Sequence, residues 1–149
     1  MYYGRIAELL REKGRQLYAV PMDSSVYEAV QEMDVKGVGA LVVMDGRRLA
    51  GIFTERDVLR RMVHSNLDPV RTRVEEVMTP DPVTMDIGMK VEEAMALMTE
   101  RRFRHLPIVE NGLVVGMVSI GDLMRWVTLT LEDNLQFMTE YITGARHPT

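Results

Sequence analysis

The chain has 149 residues, no cysteine and a formal net charge of −4; 46% of its residues are apolar and 27% charged, as in an ordinary globular protein. The missing cysteines exclude disulfides, thiolate zinc sites and thiol nucleophiles, and the acidic balance disfavours bulk nucleic-acid binding, which needs Lys and Arg to neutralise phosphates. Charged residues stand at the N-terminus where a signal peptide needs an apolar run, and no stretch approaches the roughly 20 apolar residues of a membrane span, so the expectation is a soluble cytoplasmic protein with no membrane association.

In chain order, Ile6, Leu9 and Leu10 lie at helical spacing before Gly14 and predict a short amphipathic helix over residues 5–13. Residues 17–20 read as a short strand. Ser25 then caps a helix that carries Val26, Ala29, Val30 and Met33 on one face. Residues 39–44 form an apolar, β-branched run, Asp45-Gly46 a tight turn, and residues 49–53 the returning strand. Residues 55–64 read as a helix. A polar connection at 65–71 leads to a short helix opened by Thr72 and stopped by Pro80 and Pro82. The order then repeats: a strand at 83–85, a helix at 90–102, a strand at 105–109, an Asn111-Gly112 hairpin turn and a strand at 113–118. A final helix starts near Ile120 and is expected to run to Tyr141; it either covers a partner surface or folds back on its own body. The thirteen methionines fall mostly within apolar periodicity and read as adaptable core filler.

This repetition extends to single residues. Residues 18–63 and 83–128 align without a gap at an offset of 65, so that Gly51-Ile52-Phe53-Thr54-Glu55-Arg56-Asp57 lies opposite Gly116-Met117-Val118-Ser119-Ile120-Gly121-Asp122. A half of about 60 residues would be marginal alone, whereas the whole chain can bury a real core. The halves are therefore expected to pack as one pseudo-symmetric α+β (α/β) body. The division expected is residues 1–66, the first repeat with the N-terminal helix, and 67–149, the second with the extended last helix.

The chemistry belongs where the second hairpin strand becomes a helix. A Thr or Ser hydroxyl, free helix N–H groups and an Asp one turn in make a plausible nucleoside clamp, with the carboxylate accepting two ribose hydroxyls and a glycine allowing close approach. The same Thr/Ser-x-x-Asp spacing also resembles a helix capping box, and spacing alone favours the cap, though the two uses can coexist. Arg101, Arg102, Arg104 and His105 cluster at a strand entrance and suit an anion, or simply a solvated helix end for the first two. No metal-ligand spacing, Walker loop, Rossmann fingerprint or catalytic constellation is apparent, so no enzyme is expected.

The duplicated strand-helix-strand-strand-helix order, the paired Gly-h-h-[Ser/Thr]-x-x-Asp endings, the Arg-His-Leu-Pro-Ile-Val entrance and Val77-Met78-Thr79-Pro80 together resemble a tandem pair of CBS domains, the Bateman module, over about residues 15–130. The resemblance implies two clefts for adenine-containing ligands: AMP, ADP or ATP, with NAD(H) or S-adenosylmethionine as alternatives. By position it implies that Asp57 and Asp122 hold ribose hydroxyls and that Thr54 and Ser119 contact ribose or phosphate. Arg56, Arg104 and His105 would face phosphates. Thr84 and Pro107 would border one adenine, and Val20, Gly39 and Ala40 the other. The first half lacks the Arg-His entrance and the proline, so the clefts are expected to differ, the second being better suited to a phosphorylated ligand. The resemblance further implies a homodimer and a regulatory output to an unknown protein target in trans. The rival is an interaction scaffold with vestigial clefts.

Overall fold

The computed structural model describes residues 3–14 and 16–143. Helix α1 (Ile6–Lys13) leads into strand β1 (Ala19–Pro21), helix α2 (Val26–Lys36) and the hairpin β2 (Ala40–Asp45) and β3 (Arg48–Thr54). One α-helical turn, α3 (Glu55–Asp57), continues as a π-helical stretch, Val58–Val63. The short helix α4 (Val74–Val77) and strand β4 (Thr79–Pro80) open the second half. Strand β5 (Met85–Asp86), helix α5 (Val91–Arg101), the hairpin β6 (His105–Glu110) and β7 (Leu113–Ser119), and helix α6 (Ile120–Thr143) complete it.

The repeat is realised as two sheets, ordered β1-β2-β3-β4 and β5-β6-β7. In each, the first strand runs parallel to the second and the hairpin is antiparallel, with bulges at corresponding places, Val43/Met44 and Ile108/Val109. The second hairpin turns through Asn111 and Gly112, both at positive φ, as its Asn-Gly sequence requires. Two strands start two residues later than expected, β1 at Ala19 rather than 17 and β5 at Met85 rather than 83, and the others shift by a single residue at their ends. Strand β4 has no counterpart among the elements expected from sequence. It is two residues long, one of them proline, and exists only by pairing with the edge of β3, Ile52 opposite Thr79 and Gly51 opposite Pro80.

Each half has its own core, and each core takes a helix from the other half. Val74, Val77 and Met78 pack with Val26, Leu41, Val43 and Phe53 of the first half. Ile6, Leu9 and Leu10 of α1 pack with Val91, Leu106, Ile108 and Val118 of the second. The N-terminal helix, grouped with the first repeat by chain order, thus belongs by packing to the second. Backbone hydrogen bonds repeat the exchange. Ile6 N bonds Met89 O at 2.9 Å and Val91 N bonds Gly4 O at 2.9 Å; in the other half Val74 N bonds Ser24 O at 2.8 Å and Val26 N bonds Thr72 O at 2.9 Å. Crossing segments with matched bonds tie the two halves together.

This crossing explains the glycine of the repeated motif. A Cβ on Gly51 would lie 2.5 Å from Met78 Sδ and 2.6 Å from the Thr79 carbonyl oxygen, and one on Gly116 would lie 3.2 Å from Leu10 Cδ2. At Gly51 the segment docked from the other half leaves no room for a Cβ, whereas at Gly116 it crowds only the end of the Leu10 side chain; at both places the close approach expected of a ligand is made by protein. The capping boxes are likewise local. Ser25 accepts from Glu28 N at 3.1 Å as expected, and at the start of α4 the Glu76 carboxylate accepts from Arg73 N at 2.7 Å, one residue after the Thr72 expected to open that helix.

Helix α6 folds back on its own body over its first turns. Leu123 is buried, Trp126 and Val127 pack on the second core, and Trp126 Nε1 donates to Tyr3 O at 2.6 Å. Farther along, Leu135, Met138 and Ile142 are exposed.

Candidate functional site

Both Thr/Ser-x-x-Asp motifs form capping boxes. In the first, Thr54 N donates to Asp57 Oδ2 at 2.9 Å and Asp57 N donates to Thr54 Oγ1 at 3.4 Å. In the second, Ser119 N donates to Asp122 Oδ2 at 2.8 Å and Asp122 N to Ser119 Oγ at 3.0 Å. Each cap occupies one carboxylate oxygen. In Asp57 the other, Oδ1, has only a long 3.6 Å ion pair with Arg61 Nε, so the cap leaves an acceptor for a ligand hydroxyl. Cap and clamp are compatible in one residue.

Asp57 is only 8% exposed and lines a cleft of about 670 Å³ between the halves. The first half contributes Gly39, Ile52, Thr54, Glu55 and the helical residues Arg56, Leu59, Arg60 and Arg61; the crossing segment adds Thr79 to Val83, except Pro80, and the second half Arg102 to His105. Arg104 and His105, expected at the second cleft, line the cleft with Asp57, while His105 also stands opposite Ser119 in the sheet and feels the charges of Asp122 and Lys13. The sequence could place these residues at a strand entrance but not say which helix start faces that entrance across the interface.

Five arginines, 56, 60, 61, 102 and 104, outnumber the acids Glu55, Asp57 and Asp81 here. Arg61 plays a structural part. Its Nη1 donates to Val77 O at 2.8 Å and Met78 O at 2.6 Å, tying α4 to the first half. Among the described residues, the side chains of Arg56, Arg60, Arg102 and Arg104 have no hydrogen bond or ion pair and can meet an anion. Arg60 and Arg102 are cleft residues that the sequence motifs do not point to. Arg60 follows Arg56 by one helical turn, a spacing that could have flagged it. Arg102 has φ +58° at the end of α5, where the first half has Gly37 at φ +67°. An arginine in a left-handed conformation suited to glycine is locally strained, and it sits at the cleft.

His105 is partly buried, and desolvation lowers its pKa below the ordinary 6.5. Asp122 and Glu55 oppose this shift, while Lys13 and Arg104 add to it.

The second motif is placed differently. Lys13 Nζ donates to Asp122 Oδ2 at 2.7 Å and to Met117 O at 2.6 Å. Burial would raise the Asp122 pKa, but the Lys13 hydrogen bond and charge and the Ser119 bonds outweigh it and hold the carboxyl below its usual 3.8. Lys13, Asp122, Arg125 and Trp126 share a pocket of about 150 Å³. Of the residues expected near adenine, Gly39 lines the large cleft. Thr84 is exposed beside its lining residue Val83. Val20, Ala40 and Pro107 are buried in strands β1, β2 and β6, outside that lining. Among the described residues no cluster of His, Asp and Glu could hold a metal ion, and no helix is long and apolar enough to cross a membrane.

Known proteins share this duplicated architecture. The model of the CBS domain family matches residues 6–64 and 74–129. The chain is 37% identical over 148 residues to the CBS domain-containing protein CBSX3, mitochondrial, of Arabidopsis thaliana, an alignment covering 93% of this chain and 72% of that protein. It spans only 17% and 19% of two longer curated relatives. Among solved structures, a protein with CBS domains from Burkholderia ambifaria is 43% identical with a TM-score of 0.79, over 83% of this chain and 93% of that one. A CBS domain protein from Pyrobaculum aerophilum complexed with AMP is 27% identical with a TM-score of 0.72, over 83% of this chain and 98% of that one. The chain belongs to the CBS-domain family, whose members are in general regulatory or sensor modules.

Proposed function

We propose that this CBS-domain protein is a sensor, not an enzyme, that binds an adenine nucleotide (AMP, ADP or ATP) in the cleft at Asp57 and signals its occupancy to a partner in trans. The observation that carries the proposal is one cleft joining a capped carboxylate, with an oxygen to spare, to four unpaired arginines. Asp57 Oδ1 accepts ribose hydroxyls, Arg56, Arg60, Arg102 and Arg104 take the phosphates, and Ile52, Leu59, Val83 and Phe103 offer apolar surface to the base. The AMP held by the Pyrobaculum relative supports the ligand class. The arginine excess favours AMP, ADP, ATP or NAD(H) over S-adenosylmethionine, whose sulfonium is cationic.

Because both halves line the cleft, a bound nucleotide stabilises one arrangement of the halves over others, and that preference is the signal. A homodimer joined through the exposed outer part of α6 would present it to a partner, and a cytoplasmic location suits the reading. Thermal unfolding with and without each nucleotide at about 1 mM tests it. A ligand at 100 times its Kd adds about 2.7 kcal/mol, a rise of several degrees in midpoint. The rise should vanish in Asp57→Ala. No rise with any adenine compound would favour an interaction scaffold with vestigial clefts.

A further inference from the structure

Ile6 and Val74 occupy equivalent places in the two crossing helices, yet stand 68 residues apart, where the rest of the repeat runs at 65. The first copy thus carries three extra residues between its crossing helix and its first strand. In the second copy the chain leaves the helix at Met78 and pairs as β4 with β3, Thr79 against Ile52. In the first copy the helix continues instead through Arg11, Glu12 and Lys13, and among the described residues no fourth strand joins the second sheet. The repeat equivalent of Ile52 is Met117, and its carbonyl accepts from Lys13 Nζ at 2.6 Å. The same ammonium holds Asp122 Oδ2 at 2.7 Å. A lysine on an extra helical turn thus satisfies the sheet edge and sits on the carboxylate that corresponds to Asp57.

We infer that Lys13 sets the affinity of the second cleft by neutralising Asp122 and holding one of its oxygens, so that the chain has one strong nucleotide site, at Asp57, and one that strengthens when Lys13 leaves. The inference deepens the proposed nucleotide binding and presupposes it. The ammonium sits on Oδ2, the oxygen that the Ser119 N–H also bonds, and neutralises the carboxylate, so Oδ1 is left a weaker acceptor and a ribose diol that spans both oxygens must displace Lys13. Lys13 is about one-third exposed, so the exchange requires only a side-chain swing. Release of Lys13 frees the end of α1, whose other face is built into the core of the second half, so occupancy of this cleft would be felt at the crossing helix.

Isothermal titration of the full chain with ATP, and separately with AMP, tests this on wild type, Lys13→Met, Lys13→Ala, Asp57→Ala and the double variant Lys13→Met/Asp122→Ala. Methionine keeps the aliphatic stem and removes the charge, so folding is retained and is checked by the thermal midpoint. The expected result is one strong site in wild type, lost in Asp57→Ala, and a second equivalent at least about tenfold tighter in Lys13→Met than in wild type, lost again in the double variant. Two equal sites in wild type, or an unchanged or weakened second site in Lys13→Met, overturns the role of Lys13 while leaving nucleotide binding intact. No binding in any form overturns nucleotide binding itself. A readout without nucleotide is the amine-labelling rate of Lys13 by mass spectrometry, which should rise severalfold in Asp122→Asn; an unchanged rate would mean the contact does not hold the lysine.

Discussion

The two halves of this protein share a core pattern, a capping box and a docked helix from the opposite half, yet their carboxylates meet different surroundings. Asp57 faces a wide cleft with four uncommitted arginines; Asp122, at the matching place, is bonded to Lys13. The helix behind Asp57 is π-helical through Leu59, Arg60 and Arg61, all of which line the cleft, whereas the helix behind Asp122 is regular. Duplication has preserved what folding needs, the cap and the glycine under the crossing helix. The halves diverge in the connecting segments and helix ends, which the core does not constrain.

The sharpest way to break this comparison is to remove each carboxylate in turn. Asp57→Ala should weaken nucleotide binding by about tenfold or more, since a hydrogen bond to a charged group is worth about 1.5–3 kcal/mol. Asp122→Ala should change it by less than about twofold, because Asp122 is already committed to Lys13. Calorimetric titration of the two variants measures the difference, and equal losses would put the clefts on the same footing. Each variant also loses a helix cap, at about 1 kcal/mol, so both should melt lower.

The glycines give the next contrast. Gly51→Ala drives a methyl into a backbone carbonyl as well as Met78, and should cost about 1–3 kcal/mol by overpacking. Gly116→Ala meets only the end of the Leu10 side chain, which can rotate, and should cost less. Urea denaturation of the pair checks the order. If Gly116→Ala is the worse, the α1 docking is tighter than that of α4.

Arg102→Gly sharpens the comparison from the other side. It places in the second half the glycine that the first half has at residue 37. Relieving a left-handed arginine should stabilise the fold by about 1 kcal/mol while weakening nucleotide binding a few-fold. Stabilisation without any loss of binding would remove Arg102 from the site.

How far these features are legible in the sequence follows from how local they are. The caps at Thr54 and Ser119 are written in four consecutive residues, and the hairpin turn at Asn111-Gly112 in two. The repeat announces two similar units in advance. Strand β4 is invisible, because two residues with a proline make no pattern and its partner lies far back in the chain. The Lys13–Asp122 bond joins residues 109 apart, and in the sequence Lys13 is simply a cation in the last turn of a helix. Arg104 and His105 read as a basic entrance in the second half, and the structure also brings them to the lining of the first cleft. A strand entrance is a local feature, whereas the helix that faces it is set by how the two halves pack.

His105 gives the smallest expected effect and tests that placement directly. Its pKa is lowered in the folded chain, mainly by burial, so the unfolded chain binds the proton more readily. The stability it contributes is therefore complete above pH 6.5, falls as the pH drops toward the folded pKa, and levels off below it. A phosphate bound beside the imidazole stabilises the cation and raises that pKa again. Nucleotide binding should then take up protons near pH 6 and tighten as the pH falls, opposite in sign to the stability of the free protein. Calorimetry in buffers of different ionisation enthalpy reads the uptake, and His105→Gln corrects for protonation of the nucleotide itself. If wild type and His105→Gln take up the same number of protons, the phosphates do not approach His105, and the cationic end of the first cleft reduces to its arginines.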